Sequence, residues 1–430
     1  MVVVMSACTP TPTPGPLQRR DVPASEIVDP AKPCSRDAHG ATHVAQLAPA
    51  GVEARFDAIT NTITLSRGEN VSVPALSDAV KNPGALREVG PGEWLLGADL
   101  VVLSGASLQV SAPTVNWLKV ASGGGTFVSI TALGGGVDIS GSCVTSWDDA
   151  AQEVDEQYRD GRSFLLARDG ATMTIDKSEI RYLGFGEAES YGLSWRTEGT
   201  SGYITNSVVS HLFYGLYTFE VSGLRVQDNE FHHNVLYGVD PHTRSRNLLI
   251  EHNVVHDNGK HGIILAEEIT DSVIRGNIAY ANAHHGIVMY LGSDRNLVEG
   301  NETFRNAAQG ININESKSTI IRNNRVYDNS ESGIGISQTS MDTLVEGNEV
   351  RGNQQDGLRL VSESTKTTVR DNVIGENARY GVYIDTDSKV DLTGNTVFGN
   401  RAGVMVVDGS PVGEGDNQLF GNTEVNVKGS

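Results

Sequence analysis

Two ladders of residues with one shared period constrain this chain more than any other feature. Asparagines stand at Asn206, Asn229, Asn253, Asn277, Asn301, Asn324, Asn348, Asn372 and Asn395, each 23 or 24 residues from the next. Glycines keep step at Gly215, Gly238, Gly262, Gly286, Gly310, Gly333, Gly357, Gly381 and Gly403, spaced 22 to 24 apart. Two ladders in phase mean one supersecondary unit per repeat. Inside a unit, as in "LLIEHNVVHDNGKHGIILA" from Leu248 to Ala266, aliphatic residues alternate over short runs between Asn and Gly turns. That is the period of strands. The Leu consensus of leucine-rich repeats and the helical spacing of ankyrin or tetratricopeptide repeats are both absent. A unit of about 24 residues holding three short strands predicts an all-β chain, a right-handed parallel β-helix whose coils pair at about 4.8 Å. Equivalent asparagines then stack as an internal amide ladder.

Around this repeat the chain divides by composition. Residues 1–33, with an apolar start, Ser6-Ala7-Cys8 and a Thr/Pro tract, read as the end of a lipoprotein-type export signal and a linker, with Cys8 as the lipidated residue anchoring the chain to a membrane. Residues 34–94 are expected to cap the N-terminal end and residues 95–430 to form the β-helix with its C-terminal cap, because an open solenoid end must be covered. Export would put Cys34 and Cys143 in an oxidising compartment where they can pair. The 33 Lys plus Arg against 53 Asp plus Glu give a net charge of -20. That argues against nucleic acid or an anionic membrane surface as the main partner. No stretch approaches 18 consecutive apolar residues, so no transmembrane helix is expected.

On the strand after each repeated glycine, alternation turns Ile263 and Leu265, Ile287 and Met289, and Ile311 and Ile313 inward. The intervening positions then face out, in register from coil to coil: Tyr217 and Phe219, Asp240 and His242, Ile264 and Ala266, Val288 and Tyr290, Asn312 and Asn314. Just before the glycines runs a second row, Tyr214, Tyr237, His261, His285 and Gln309. Aromatics, amides and acid-base groups along one extended face suit a polar polymer such as a polysaccharide. Read from spacing alone, "DPH" at Asp240–His242 serves equally as a turn or as chemistry. His232, His233, His252 and His256 are expected to be solvated.

The stretch "YGVDPHTRSRNLLIEHNVVHDNGKHGIIL", Tyr237–Leu265, resembles the mannuronan C-5 epimerases, whose hallmark is Tyr-Gly-x-Asp-Pro-His on a right-handed parallel β-helix. The resemblance extends in weaker form from about residue 95 to about residue 400. It implies conversion of mannuronate to guluronate in an alginate-like acidic polysaccharide. By similarity, His242 is the catalytic base, Tyr237 or a water the opposite-face proton donor, and Asp240 a group orienting the cluster. Lys260 and His261 would meet the substrate carboxylate. His285, Tyr217, Phe219, Tyr290, Asn312, Asn314 and Arg244 complete the expected binding face. Two positions depart from the family pattern. Thr243 stands where an acidic residue is common, and Ala266, Glu267 and Glu268 stand where exporter-linked members carry an Arg that neutralises the carboxylate. Glu267 would repel a uronate unless protonated, turned away or bound to a cation, and Arg244, Arg275, Arg295 or Lys260 could substitute from a neighbouring coil. Calcium-binding nonapeptides of the Gly-Gly-x-Gly-x-Asp type are absent, so no metal or cofactor is implied. The chain is expected to act as a monomer at the cell surface, outside the cell or in the periplasm.

Two other classes stay open from sequence. A polysaccharide lyase would abstract the same proton and then expel the 4-O-linked sugar, and a non-catalytic glycan-binding solenoid would keep the groove without the chemistry. Hydrolysis of a neutral glycan would need two carboxylates across the groove, for which Asp240 and Glu267 are the only pair to hand.

Overall fold

The computed structural model describes residues 14–24, 28–34, 51–386, 389–407, 412–413 and 415–429; Cys8 lies outside them. The chain winds as a parallel β-solenoid with three strands per coil. In one coil Val239–His242, Leu249–Glu251 and Val254–His256 precede Ile263–Ala266, which pairs in parallel with Val239–His242 and starts the next. Stacking coils makes three parallel sheets, two of them joined by the long strand Thr62–Ser72. Parallel pairing starts at that strand, so the stretch 34–94 contains part of the solenoid as well as the helix Val73–Val80. That helix is the only one among the described residues, and none is long and apolar enough to cross a membrane.

The period arises from what each repeated residue satisfies. Asn253 accepts from the backbone N–H and the side-chain amide of Asn229, at 3.1 and 2.9 Å, and donates to Val226 O and to Asn277 Oδ1, at 2.8 and 2.9 Å. Every valence of a buried amide is thereby used, coil after coil, down to Asn417. A second ladder five residues on, from Asn234 through Asn258 and Asn282 to Asn422, does the same. Asn206 departs from the sequence expectation. It is exposed and bonds Asp176, while Ser207 takes the ladder position, continuing a serine series from Ser142 and Ser178. Serine suffices there because the link from one ladder residue to the next is a backbone N–H to Oγ bond, without the side-chain-to-side-chain bond of the asparagines. The glycine ladder answers a space requirement: a Cβ on Gly286 would stand 2.7 Å from Gly310 O in the next coil. The inward aliphatics Ile263, Leu265, Ile287, Met289, Ile311 and Ile313 are all fully buried.

Two features lie outside the repeat. Cys34 and Cys143 form a disulfide, with Cα atoms 5.9 Å apart, against Leu95, Trp117, Trp147 and Tyr182. Residues 14–24 lie along the sheet that carries Tyr280, Phe304 and Tyr327. Leu17 and Val22 pack on those stacked rings, Arg19 pairs with Asp328 and Arg20 with Glu302, both at 2.6 Å. Arg351 donates to Gly15 O at 2.7 Å.

Candidate functional site

The strand Val239–His242 carries Asp240 and His242 on the face away from the core, with Tyr237 two residues before it begins. Parallel register places Tyr217 beside Asp240 and Phe219 beside His242. On the following coils come Ile264 and Ala266, Val288 and Tyr290, and Asn312 and Asn314. Apart from Phe219, these rows line a groove of about 470 Å³ with Tyr191, Tyr214, Lys260, His261, Glu267, His284 and His285. Its floor is apolar, since Ile264, Ala266 and Val288 are buried against one another and against Tyr237.

One edge is the corner ladder. The Tyr214 and Tyr237 rings lie 5.0 Å apart, Tyr237 and His261 5.5 Å, and His261 and His285 5.2 Å, the last two pairs stacked nearly parallel at 3° and 5°. Lys260 Nζ donates to Tyr237 Oη at 2.9 Å. The backbone N–H of His285 donates to His261 Nδ1, and that of Gln309 to His285 Nδ1 at 3.1 Å. Both rings are therefore acceptors at Nδ1 and carry their proton on Nε2. Burial pushes them down to about 2 and about 3, with neighbouring histidine charge adding to the effect. They are neutral N–H donors, so His261 helps a carboxylate by hydrogen bonding and contributes no charge. His261, His284 and His285 bring ring nitrogens within 4.8 Å of one another, a spacing a metal ion could use. Metal-bound histidine donates its other ring N–H, however, and here the Nδ1 atoms of His261 and His285 accept from the backbone. The donor set is unsuited to a metal.

The other edge is set by His242, whose ring stacks on Tyr217 at 5.4 Å. Its Nδ1 lies 2.7 Å from Thr243 Oγ1, which donates to Glu267 Oε2 at 2.9 Å. Burial lowers the His242 pKa, the Glu267 charge opposes that, and Arg196 adds to it. The ring is thus neutral at pH 7, as a base must be.

Asp240 corrects the sequence reading. It faces the groove but is 1 % exposed, roofed by aromatic rings, and neither carboxylate oxygen has a hydrogen-bond partner. It therefore orients nothing through hydrogen bonds. Burial holds it well above the usual carboxylate range, with Lys260 opposing and Glu267 pushing the same way as burial, which favours the protonated form. Arg244 does not line the groove; it pairs with Glu220 at a separate depression beside Thr243 and Glu268. Arg275 pairs with Glu251 and Glu299, and Arg295 with Asp271. Inter-coil ion pairs use up all three. Phe219 is half-buried and faces Arg196 rather than the groove. His232 and His256 are buried rather than solvated, because they start a ring stack that continues through Tyr280, Phe304 and Tyr327. His252 is exposed as expected, and His233 is half-buried.

Sequence reasoning missed Arg196. It stands in the row of Phe219 and His242, 8 % exposed, with its guanidinium 4.9 Å from the Tyr217 ring and one nitrogen unpartnered. Extending the register one coil toward the N-terminus would have found it.

Residues 135–301, 245–365 and 270–423 match the right-handed β-helix region family, and the chain belongs to that family. Within it, the chain is similar to mannuronan C5-epimerases. It is 30 % identical over 179 residues to that of Pseudomonas aeruginosa, covering 39 % of this chain and 32 % of the relative, and 27 % identical over 177 residues to that of Azotobacter vinelandii, covering 38 % and 33 %. The matches thus span about a third of each relative's length. The crystal structure of the periplasmic alginate epimerase AlgG superposes with a TM-score of 0.63 at 23 % identity, over 86 % of this chain and 84 % of that one, a likeness of fold.

Proposed function

We propose that this chain is an exported C-5 epimerase of a uronate polysaccharide, converting mannuronate to guluronate in an alginate-like polymer. The observation that carries the reading is the pairing of a neutral His242, at the end of one short strand, with a Tyr237 hydroxyl two residues before that strand begins, held by Lys260. Similarity to the epimerases supports it.

The C-5 proton lies next to a carboxylate and is hardly acidic until that charge is neutralised. Lys260 supplies a positive charge, the Nε2–H groups of His261 and His285 supply donors, and all three residues line the groove. Together they stabilise the aci-carboxylate. His242 Nε2 takes the C-5 proton, and the C–H electron pair moves into the carboxylate. The Tyr237 hydroxyl, or a water beside it, then delivers a proton to the opposite face as the pair returns to carbon. Tyr290 and Asn314 offer stacking and amide contacts to neighbouring sugars along the axis, whereas Tyr217 and Asn312 are buried. The Cys34–Cys143 disulfide agrees with an oxidising compartment.

Proton NMR of polymannuronate in D2O tests this. Deuterium at C-5 with new guluronate signals, both absent with His242→Ala, is the expected result. Absorbance from an unsaturated product would instead make the chain a lyase, and neither signal would sink both enzymatic readings for this polymer.

A further inference from the structure

His242 has two ring nitrogens, and only one can meet the substrate as a base. Thr243 Oγ1 lies 2.7 Å from Nδ1 and 2.9 Å from Glu267 Oε2. A threonine hydroxyl has one proton and an ionised carboxylate only accepts, so that proton goes to Glu267. Oγ1 can then meet Nδ1 only as an acceptor. Nδ1 must carry the ring proton, and the lone pair falls on Nε2. Glu267 Oε2 is also 3.5 Å from Nδ1, which puts a negative charge beside the imidazolium that proton abstraction creates.

The solenoid brings the three together. Thr243 N–H donates to Ala266 O at 3.0 Å and Arg244 N–H to Glu267 O at 2.9 Å, fixing the two corners one above the other. Thr243 and Glu267 both have positive φ, at 29° and 63°. So do Glu220, Leu291 and Glu315 at the same corner of other coils, so this turn belongs to the repeat and is not local strain. What distinguishes this pair of coils is the choice of side chains.

We infer that Thr243 and Glu267 are positioning residues that hold His242 as its Nδ1–H tautomer with Nε2 turned to the groove. The carboxylate comes from the next coil instead of the strand that bears the base. This rests on the reading of His242 as the base, and it gives Glu267 a part other than repelling a uronate. The other charged or titratable groups facing His242 are Tyr217 and, beyond it, Arg196 from the preceding coils, Asp240 on its own strand, and Tyr191, Tyr214, Tyr237, Lys260, His261, His284, His285 and Tyr290 around the groove.

The test is nitrogen NMR of imidazole-labelled protein, comparing wild type with Glu267→Ala, Thr243→Val and Thr243→Ser and assigning the signal through His242→Ala, alongside kcat/KM profiles on polymannuronate. In the wild type, His242 is expected as the Nδ1–H form. Glu267→Ala and Thr243→Val should populate the Nε2–H form and lower kcat about 10²-fold with little change in KM; Thr243→Ser should restore both. Glu267→Ala should also move the acid limb of the profile to lower pH, because the carboxylate favours the imidazolium. A wild-type Nε2–H form, or variants that keep both tautomer and acid limb, would overturn the inference. If the wild type leaves polymannuronate untouched, the epimerase reading falls while the imidazole spectra still decide the relay.

Discussion

Lys260 and Tyr237 stand on successive coils with ammonium and hydroxyl 2.9 Å apart, and the same Nζ lies 5.1 Å from the centre of the Tyr237 ring. Because the ammonium is the donor, the tyrosine keeps its own proton for the groove. Lys260→Met removes that arrangement and a positive charge facing the substrate. Its kcat/KM for C-5 deuterium exchange should fall about 10²- to 10³-fold, with Lys260→Arg falling less. An unchanged rate in Lys260→Met would mean that carboxylate neutralisation lies elsewhere.

Asp240 should be a destabilising residue at neutral pH. Its folded-state pKa is raised by burial, so the unfolded chain ionises it more readily, and the associated penalty is present at pH 7 and fades as pH falls through the ordinary carboxylate value. Asp240→Asn should therefore raise Tm at pH 7 and raise it less at pH 4. Equal Tm shifts at the two pH values would contradict a neutral Asp240.

Buried neutral histidines act on stability in the opposite sense. Burial pushes His232 and His261 down to about 2, against about 6.5 in an unfolded chain. Below that pH the unfolded chain binds more protons, so the stability they contribute is complete above pH 6.5 and is lost as pH falls toward the folded value. At pH 5 the loss is at most about 2 kcal/mol for each. His256 partly offsets it: burial opposes its protonation, but Glu230 and Asp257 prevail and raise its pKa. Urea titrations at pH 7 and pH 5 should show a smaller pH dependence in His261→Gln than in wild type.

Breaking the amide ladder should cost more than removing one hydrogen bond. Asn277 accepts from Asn253 N and Asn253 Nδ2, both at 2.9 Å, and donates to Ile250 O and Asn301 Oδ1, at 2.9 and 3.0 Å. Asn277→Ala leaves buried partners unsatisfied on both neighbouring coils, a loss of about 3 kcal/mol. Denaturant unfolding checks it; a change below about 0.5 kcal/mol would show that water fills the gap.

The repeat, the inward aliphatics and the in-register outward row were legible because a solenoid turns sequence spacing directly into spatial neighbourhood. Tyr217, Asp240 and Ile264 are neighbours for that reason alone. What spacing does not encode is depth and side-chain direction. His232 and Asp240 read as outward-facing, yet rings from adjacent coils cover both. Glu267 read as an obstacle because alternation does not reveal that it bends toward Thr243. Arg196 belongs to a coil where the Asn signature has given way to serine, so the period gave no prompt to continue the row.

The segment at residues 14–24 gives this linear stack a property that its repeats lack. A solenoid holds each coil only through its two neighbours and can peel from an end one coil at a time. Here Arg351 grips Gly15, Asp328 grips Arg19 and Glu302 grips Arg20, while Cys34 is bonded to Cys143 farther back along the stack. Coils near residues 302 and 351 are thereby laced to the opposite end of the chain, and the sheet so bound is not the one bearing the groove. Unwinding from the C-terminal side meets this lacing first at Arg351, beyond every coil that builds the groove, so those coils stand behind a mechanical stop.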